Sequence, residues 1–130
     1  MAITGIGGAF FKAKDVKALS AWYREHLGVP IGDEGFANFE WAADRADGST
    51  AFAIFPADTT YFSPGDAPFM LNFRVDDLDA VLSRLRDLGD PVDDTIMDEG
   101  YGRFGWVVDP EGNRVELWEP TSDTEAGPTE

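Results

Sequence analysis

Glu116 is the residue whose type and setting offer the most chemistry in this chain of 130 residues. It lies in the run Arg114-Val115-Glu116-Leu117-Trp118. An extended backbone sends alternate side chains to opposite faces, so Arg114, Glu116 and Trp118 share one face and Val115 and Leu117 the other. A carboxylate beside an aromatic ring accepts a hydrogen bond from a ligand amine or guanidine, or acts as a general base. Its competing role is structural: an ion pair with Lys12, Arg74 or Arg103.

The same alternation supplies company for Glu116. In Gly8 to Ala13, Gly8, Phe10 and Lys12 fall on one face, with Ala9, Phe11 and Ala13 on the other. In Phe69 to Val75, Met70, Asn72 and Arg74 face inward while Leu71, Phe73 and Val75 pack on a helix. Tyr101 and Arg103 flank Gly102 and form a rim. The expected ligand-binding residues are Phe10, Lys12, Asn72, Arg74, Arg103, Glu116 and Trp118. Apolar walls with a few placed polar groups are the profile of a small-molecule pocket. Phe10 and Trp118 either stack on a planar or cationic group or serve as plain core.

These residues must be positioned by elements, and the elements come in two rounds. A strand-like run from Gly7 to Ala13 leads to Asp15, which N-caps a helix with Val16, Leu19, Tyr23 and Leu27 on its apolar stripe and Gly28 at its end. A second run, Phe69 to Val75, leads to Asp76 or Asp77 and a stripe of Leu78, Val81, Leu82, Leu85 and Leu88, ended by Gly89. Strands are expected over 36–42 and 50–55 in the first half, with a turn at Asp47-Gly48, and over 92–97, 104–108 and 114–118 in the second. Asp109-Pro110-Glu111-Gly112-Asn113 is a reverse turn. Residues 56–68 link the halves. A doubled βαβββ order implies one α+β domain with internal pseudo-symmetry, spanning 1–120 with modules at about 5–57 and 68–120, and a disordered acidic tail over 121–130.

Composition excludes several function classes. The formal net charge is −15, from 25 acidic and 10 basic residues, a field that repels phosphate backbones and anionic headgroups. Nucleic-acid and membrane partners are not expected. There is no cysteine, hence no thiolate nucleophile, thiolate metal site or disulfide. The N-terminus carries no secretory pattern and no apolar run has membrane-spanning length, so a cytoplasmic location is expected. Gly5-Ile6-Gly7-Gly8 precedes a strand and opens no helix, so it is not a dinucleotide fingerprint. The single histidine, His26, falls at a helix C-terminus, where the helix dipole favours it.

Three stretches carry a resemblance: Trp22-Tyr23-Arg24-Glu25-His26-Leu27-Gly28 in the first helix, Phe73-Arg74-Val75-Asp76-Asp77-Leu78-Asp79-Ala80, and Asp109 through Pro120. Together they resemble the vicinal oxygen chelate superfamily, which includes glyoxalase I, extradiol dioxygenases, fosfomycin resistance proteins and bleomycin-binding proteins. The resemblance implies paired βαβββ modules, a U-shaped sheet around a shared pocket, and a homodimer. Metal-dependent members hold a divalent ion with His and Glu on the first and last strands of each module. Those positions fall here on Gly8, Met70, Ala53 or Phe52, and Glu116, so only Glu116 keeps a carboxylate. No metal or other cofactor is therefore expected.

The expected function is metal-independent binding of a small molecule, cationic or aromatic, in the manner of drug-sequestering relatives. One alternative is a glyoxalase-like lyase or isomerase using Glu116 as base or weak metal ligand. The other is a non-catalytic dimerisation module whose pocket is filled by its own side chains.

Overall fold

The computed structural model describes residues 6–44 and 48–121. Asp47, Gly5 and all of the expected disordered tail except Thr121 lie outside the described residues. Two helices and four strands organise the rest: α1 (Val16–Leu27), β1 (Leu71–Arg74), α2 (Leu78–Asp87), β2 (Met97–Glu99), β3 (Gly102–Val108) and β4 (Arg114–Pro120).

Each helix starts where its cap predicts. Asp15 accepts from the Ala18 amide at 3.0 Å and Asp77 from the Ala80 amide at 3.1 Å. Each bond satisfies one of the amides that a helix start leaves without an intrahelical partner. Along α2, Leu78, Leu82 and Leu85 are buried, Val81 is partly so, and Leu88 is exposed. Along α1 the buried stripe is Leu19, Trp22 and Tyr23, while Val16 turns outward.

The strands form one open mixed sheet in the order β1-β4-β3-β2. β1 runs parallel to β4, and β3 is antiparallel to both β4 and β2. A parallel neighbour needs a crossover connection, and α2 begins that crossover directly after β1. One sheet face carries Phe73, Val107, Val115 and Leu117 against both helices. This core is shared: α1 comes from the first half of the chain and the sheet from the second. The expected strand over 92–97 is reduced to an isolated bridge between Val92 and Val107, with β2 starting at Met97.

The first half differs from expectation. None of the described residues in 6–13, 36–42 or 50–55 belongs to a strand, and Trp41–Ala43 form a short 3₁₀ turn. The physical reason is that alternation gives a segment a face but a strand exists only where a neighbour takes its backbone hydrogen bonds. Here the side chains stand in solvent: Phe10 is 93% exposed, Trp41 91%, Ile54 88% and Phe52 77%. No helix among the described residues is long and apolar enough to cross a membrane.

Candidate functional site

The face of the sheet away from the helices carries a second cluster, Phe104, Trp106 and Trp118, with Tyr61, Met70, Met97 and Tyr101 packed around it. Sheet register explains its order. Asn72 of β1 and Trp106 of β3 are both the cross-strand partners of Glu116. One rung across three strands therefore sets an amide, a carboxylate and an indole side by side.

Glu116 is 7% exposed. Asn72 donates from Nδ2 to Oε1 at 2.7 Å, the Trp106 indole N–H donates to Oε2 at 3.0 Å, and the Tyr61 hydroxyl donates to Oε2 at 2.5 Å. All three donors are neutral, and Glu116 forms no ion pair among the described residues. A buried carboxylate stays tolerable when its lone pairs are filled in this way. Burial, and then the bond to Glu116, push the Tyr61 phenol far above its ordinary range, so it holds its proton and acts as a donor.

Arg114 lies two residues before Glu116 on the same face. Its guanidinium sits 4.6 Å from the Trp106 ring centre and 5.5 Å from that of Tyr61. It donates to the Tyr61 carbonyl at 2.9 Å and to Asp93 Oδ2 at 3.1 Å. On the other side Trp118 stacks on Phe104, with 6.0 Å between centroids and 4° between planes, and its indole donates to the Tyr101 carbonyl at 3.2 Å. A cleft of about 230 Å³ is lined by Trp106 and Arg114 together with Pro64, Pro91 and Asp93. Neither Tyr61 nor Glu116 lines it.

Of the seven residues expected in the site, Asn72, Glu116 and Trp118 share this face. Arg74 is drawn away to the Ser49 carbonyl, at 2.8 Å, and to Asp44. Arg103 lies on the opposite face: its guanidinium reaches Asp79 of α2 at 2.9 Å, beside the helix core. Alternation along β3 accounts for this, since Arg103 must follow Val107 toward the helices while Phe104 and Trp106 take the other face. Phe10 and Lys12 are exposed, and Phe10 makes no ring contact with Trp106 or Trp118 among the described residues. Sequence reasoning left out Trp106 and Tyr61. Alternation from Phe104 marks Trp106, but Tyr61 lies in a linker with no periodicity to read.

His26 lies outside this face. Its Nδ1 is 2.7 Å from Asp90 Oδ2, and the Trp22 indole donates to Asp90 Oδ1 at 3.0 Å, which ties the end of α1 to the loop after α2.

The residues present do not fit the divalent ion that the resemblance implies. At the corresponding positions Gly8 has no donor and Met70 only a soft thioether. Both Glu116 oxygens already accept hydrogen bonds. Among the described residues no group of three or more His, Asp or Glu side chains is placed to hold a metal.

The model of the glyoxalase-like domain family matches residues 8–118. Among solved structures, the chain is similar to TnmS3, an antibiotic binding protein from Streptomyces sp. CB03234, with 24% identity, 93% of this chain and 99% of that chain covered, and a TM-score of 0.59. It is similar to a protein of unknown function from Agrobacterium tumefaciens str. C58, with 17% identity, 89% and 98% covered, and a TM-score of 0.52. It is also similar to oxidase ChaP-H2, with 20% identity, 84% and 87% covered, and a TM-score of 0.50. At these identities the likeness is one of fold. No curated protein matches the chain. The chain belongs to the glyoxalase-like domain family, within the vicinal oxygen chelate superfamily.

Proposed function

We propose that this member of the glyoxalase-like domain family is a small-molecule-binding protein that works without a metal, and that its ligand lies against Trp106, Trp118 and Glu116. The observation that carries the reading is the Glu116 carboxylate, buried in an aromatic wall and filled by neutral donors, with no ion pair among the described residues. Such a group orients a ligand that brings a donor, while the rings supply contact area. The antibiotic-binding role of TnmS3, similar in fold, supports the same direction.

The exposed aromatic residues of the first half support a further part of the proposal. Monomers rarely leave so much apolar surface in water. Pairing of the first half as a second βαβββ module, closed in a homodimer, would cover Phe10, Trp41, Phe52 and Ile54 and complete a U-shaped sheet over residues 5–57 and 68–120. Sedimentation analysis tests this part: a monomer at micromolar concentration overturns it.

The function is tested by a screen of aromatic and cationic small molecules, read by melting temperature and by the Trp106 indole N–H resonance. Binding predicts a saturable rise in melting temperature together with a shift of that resonance. A screen in which no compound moves either signal overturns the reading.

A further inference from the structure

Tyr61 behaves as a ligand that the chain supplies to itself. It belongs to no helix or strand. Its ring stacks on Phe55 at 5.5 Å with 8° between planes and meets Trp106 edge-on at 6.2 Å. The Arg114 guanidinium lies over its face, and its hydroxyl donates to Glu116 at 2.5 Å. Aromatic walls, a cation over the ring and a buried acceptor at the ring's far end together make a recognition site for a hydroxylated aromatic ring.

We infer that the sheet face away from the helices takes phenolic ligands and that Tyr61 is the plug such a ligand displaces. This rests on the small-molecule reading above and names its ligand class. Glu116 selects the ring's O–H, because the carboxylate loses a bond unless the incoming group donates in place of Tyr61. Arg114 and Trp106 select the ring itself, one by cation–π attraction and one by edge contact.

The linker is built so that the plug can leave. Residues 56–58, 60, 63 and 64 are exposed and Thr59 is half-buried, and the backbone–backbone bonds within the span are short-range: Thr59 to the Pro56 carbonyl and Ser63 to the Thr60 carbonyl, with Arg114 holding the Tyr61 carbonyl at 2.9 Å. Its far end packs close against the 109–113 turn, where a Cβ on Gly65 would overlap the Gly112 carbonyl. The segment therefore packs on the 109–113 turn at one end, and the Tyr61 backbone is held to the sheet by Arg114, while Tyr61 itself belongs to no helix or strand. The cleft beside Trp106, about 230 Å³, is below the usual range for drug-sized ligands of about 300–1,000 Å³. Departure of the Tyr61 ring would free the surfaces of Trp106 and Arg114 that it now covers, and both residues also line the cleft.

The probe is p-cresol, which reproduces the tyrosine side chain, compared with 4-methylanisole, which keeps the ring and cannot donate. Both are titrated into the full chain and followed by the Trp106 indole N–H resonance. A plug that is seated most of the time lowers apparent affinity by the fraction of open molecules. Tyr61→Ala is therefore expected to bind p-cresol about tenfold or more tightly than the native chain. In that variant 4-methylanisole is expected to bind about tenfold or more weakly than p-cresol. Tyr61→Phe keeps the ring and removes the O–H bond, so it should raise p-cresol affinity by a smaller factor; it also serves if Tyr61→Ala does not fold. Unchanged or weaker p-cresol binding in the Tyr61 variants overturns the plug, and equal binding of the methyl ether overturns the phenol preference. Either result leaves the broader reading intact if other screened compounds shift Trp106. If no compound shifts it in the native chain or the variants, both fall.

Discussion

The Tyr23 hydroxyl donates to Asp109 Oδ2 at 2.8 Å, across 86 residues of sequence. This bond joins α1 of the first half to the β3–β4 turn of the second. Asp109 is 3% exposed, and its carboxylate also accepts from the Glu111 and Asn113 amides and from Asn113 Nδ2, each at 2.9 Å. The turn reaches back as well: Glu111 accepts from the Lys14 and Asp15 amides, both at 2.9 Å. The most family-like stretch of the sequence is thus a clamp on the first helix.

Tyr23→Phe keeps the ring contacts and removes one donor from a buried carboxylate. It should cost about 1–3 kcal/mol in urea unfolding. Asp109→Ala removes the acceptor for all four donors and should cost more than Tyr23→Phe. Equal losses in the two variants would show that the turn does not depend on the Asp109 carboxylate.

The same bond sets an alkaline limit. Burial, then the hydrogen bond to Asp109, raise the Tyr23 phenol far above its ordinary value of 10.0. A raised phenol holds its proton in the folded state while the unfolded chain releases it, so the stability it contributes is complete below about pH 10 and declines above it. The slope for one such tyrosine is about 1.4 kcal/mol per pH unit. Tyr61 is shifted in the same direction with a smaller, solvent-screened effect. Urea unfolding at pH 9, 10 and 11 should show the decline, and Tyr23→Phe should flatten it.

Glu116→Gln and Glu116→Leu should separate sharply. The glutamine oxygen can take the place of Oε2 and keep Trp106 and Tyr61, while Asn72 turns its own carbonyl toward the new NH₂. The cost should stay below about 1 kcal/mol. Leucine leaves the buried Trp106 N–H and two further donors without an acceptor, and should cost about 2–4 kcal/mol. Thermal and urea unfolding of the two variants make the comparison.

Gly105 marks where the sheet meets α2. A Cβ there would stand 2.9 Å from Leu82 Cδ1 and 3.2 Å from Cδ2, and Leu82 is fully buried. Gly105→Ala should cost about 1–3 kcal/mol through overpacking. Combining it with Leu82→Val, which shortens the facing side chain, should give a loss smaller than the sum of the two single variants.

How much of this was legible beforehand can be traced residue by residue. Asp15 and Asp77 were readable as caps because capping is a local contact with the amide three residues on. Glu116 and Trp118 were readable as sharing a face because alternation is fixed by backbone geometry. Arg103 was expected at the pocket rim, and alternation from Val107 along β3 turns it instead toward Asp79 of α2. Phe10 and Lys12 were assigned to a strand whose partner the sequence does not specify.

By itself, then, the sequence determined the family, the helices with their caps and stripes, the 109–113 turn and the facing of β4, all features governed by contacts within a few residues. Only the tertiary structure decided that Asn72, Glu116 and Trp106 form one rung, that α1 packs on the second half, that Arg103 belongs to Asp79, and that Tyr61 reaches Glu116. The physical reason is register and chain return: which residues meet across strands, and where a linker folds back, depend on packing summed over the whole core, and no local pattern encodes that sum.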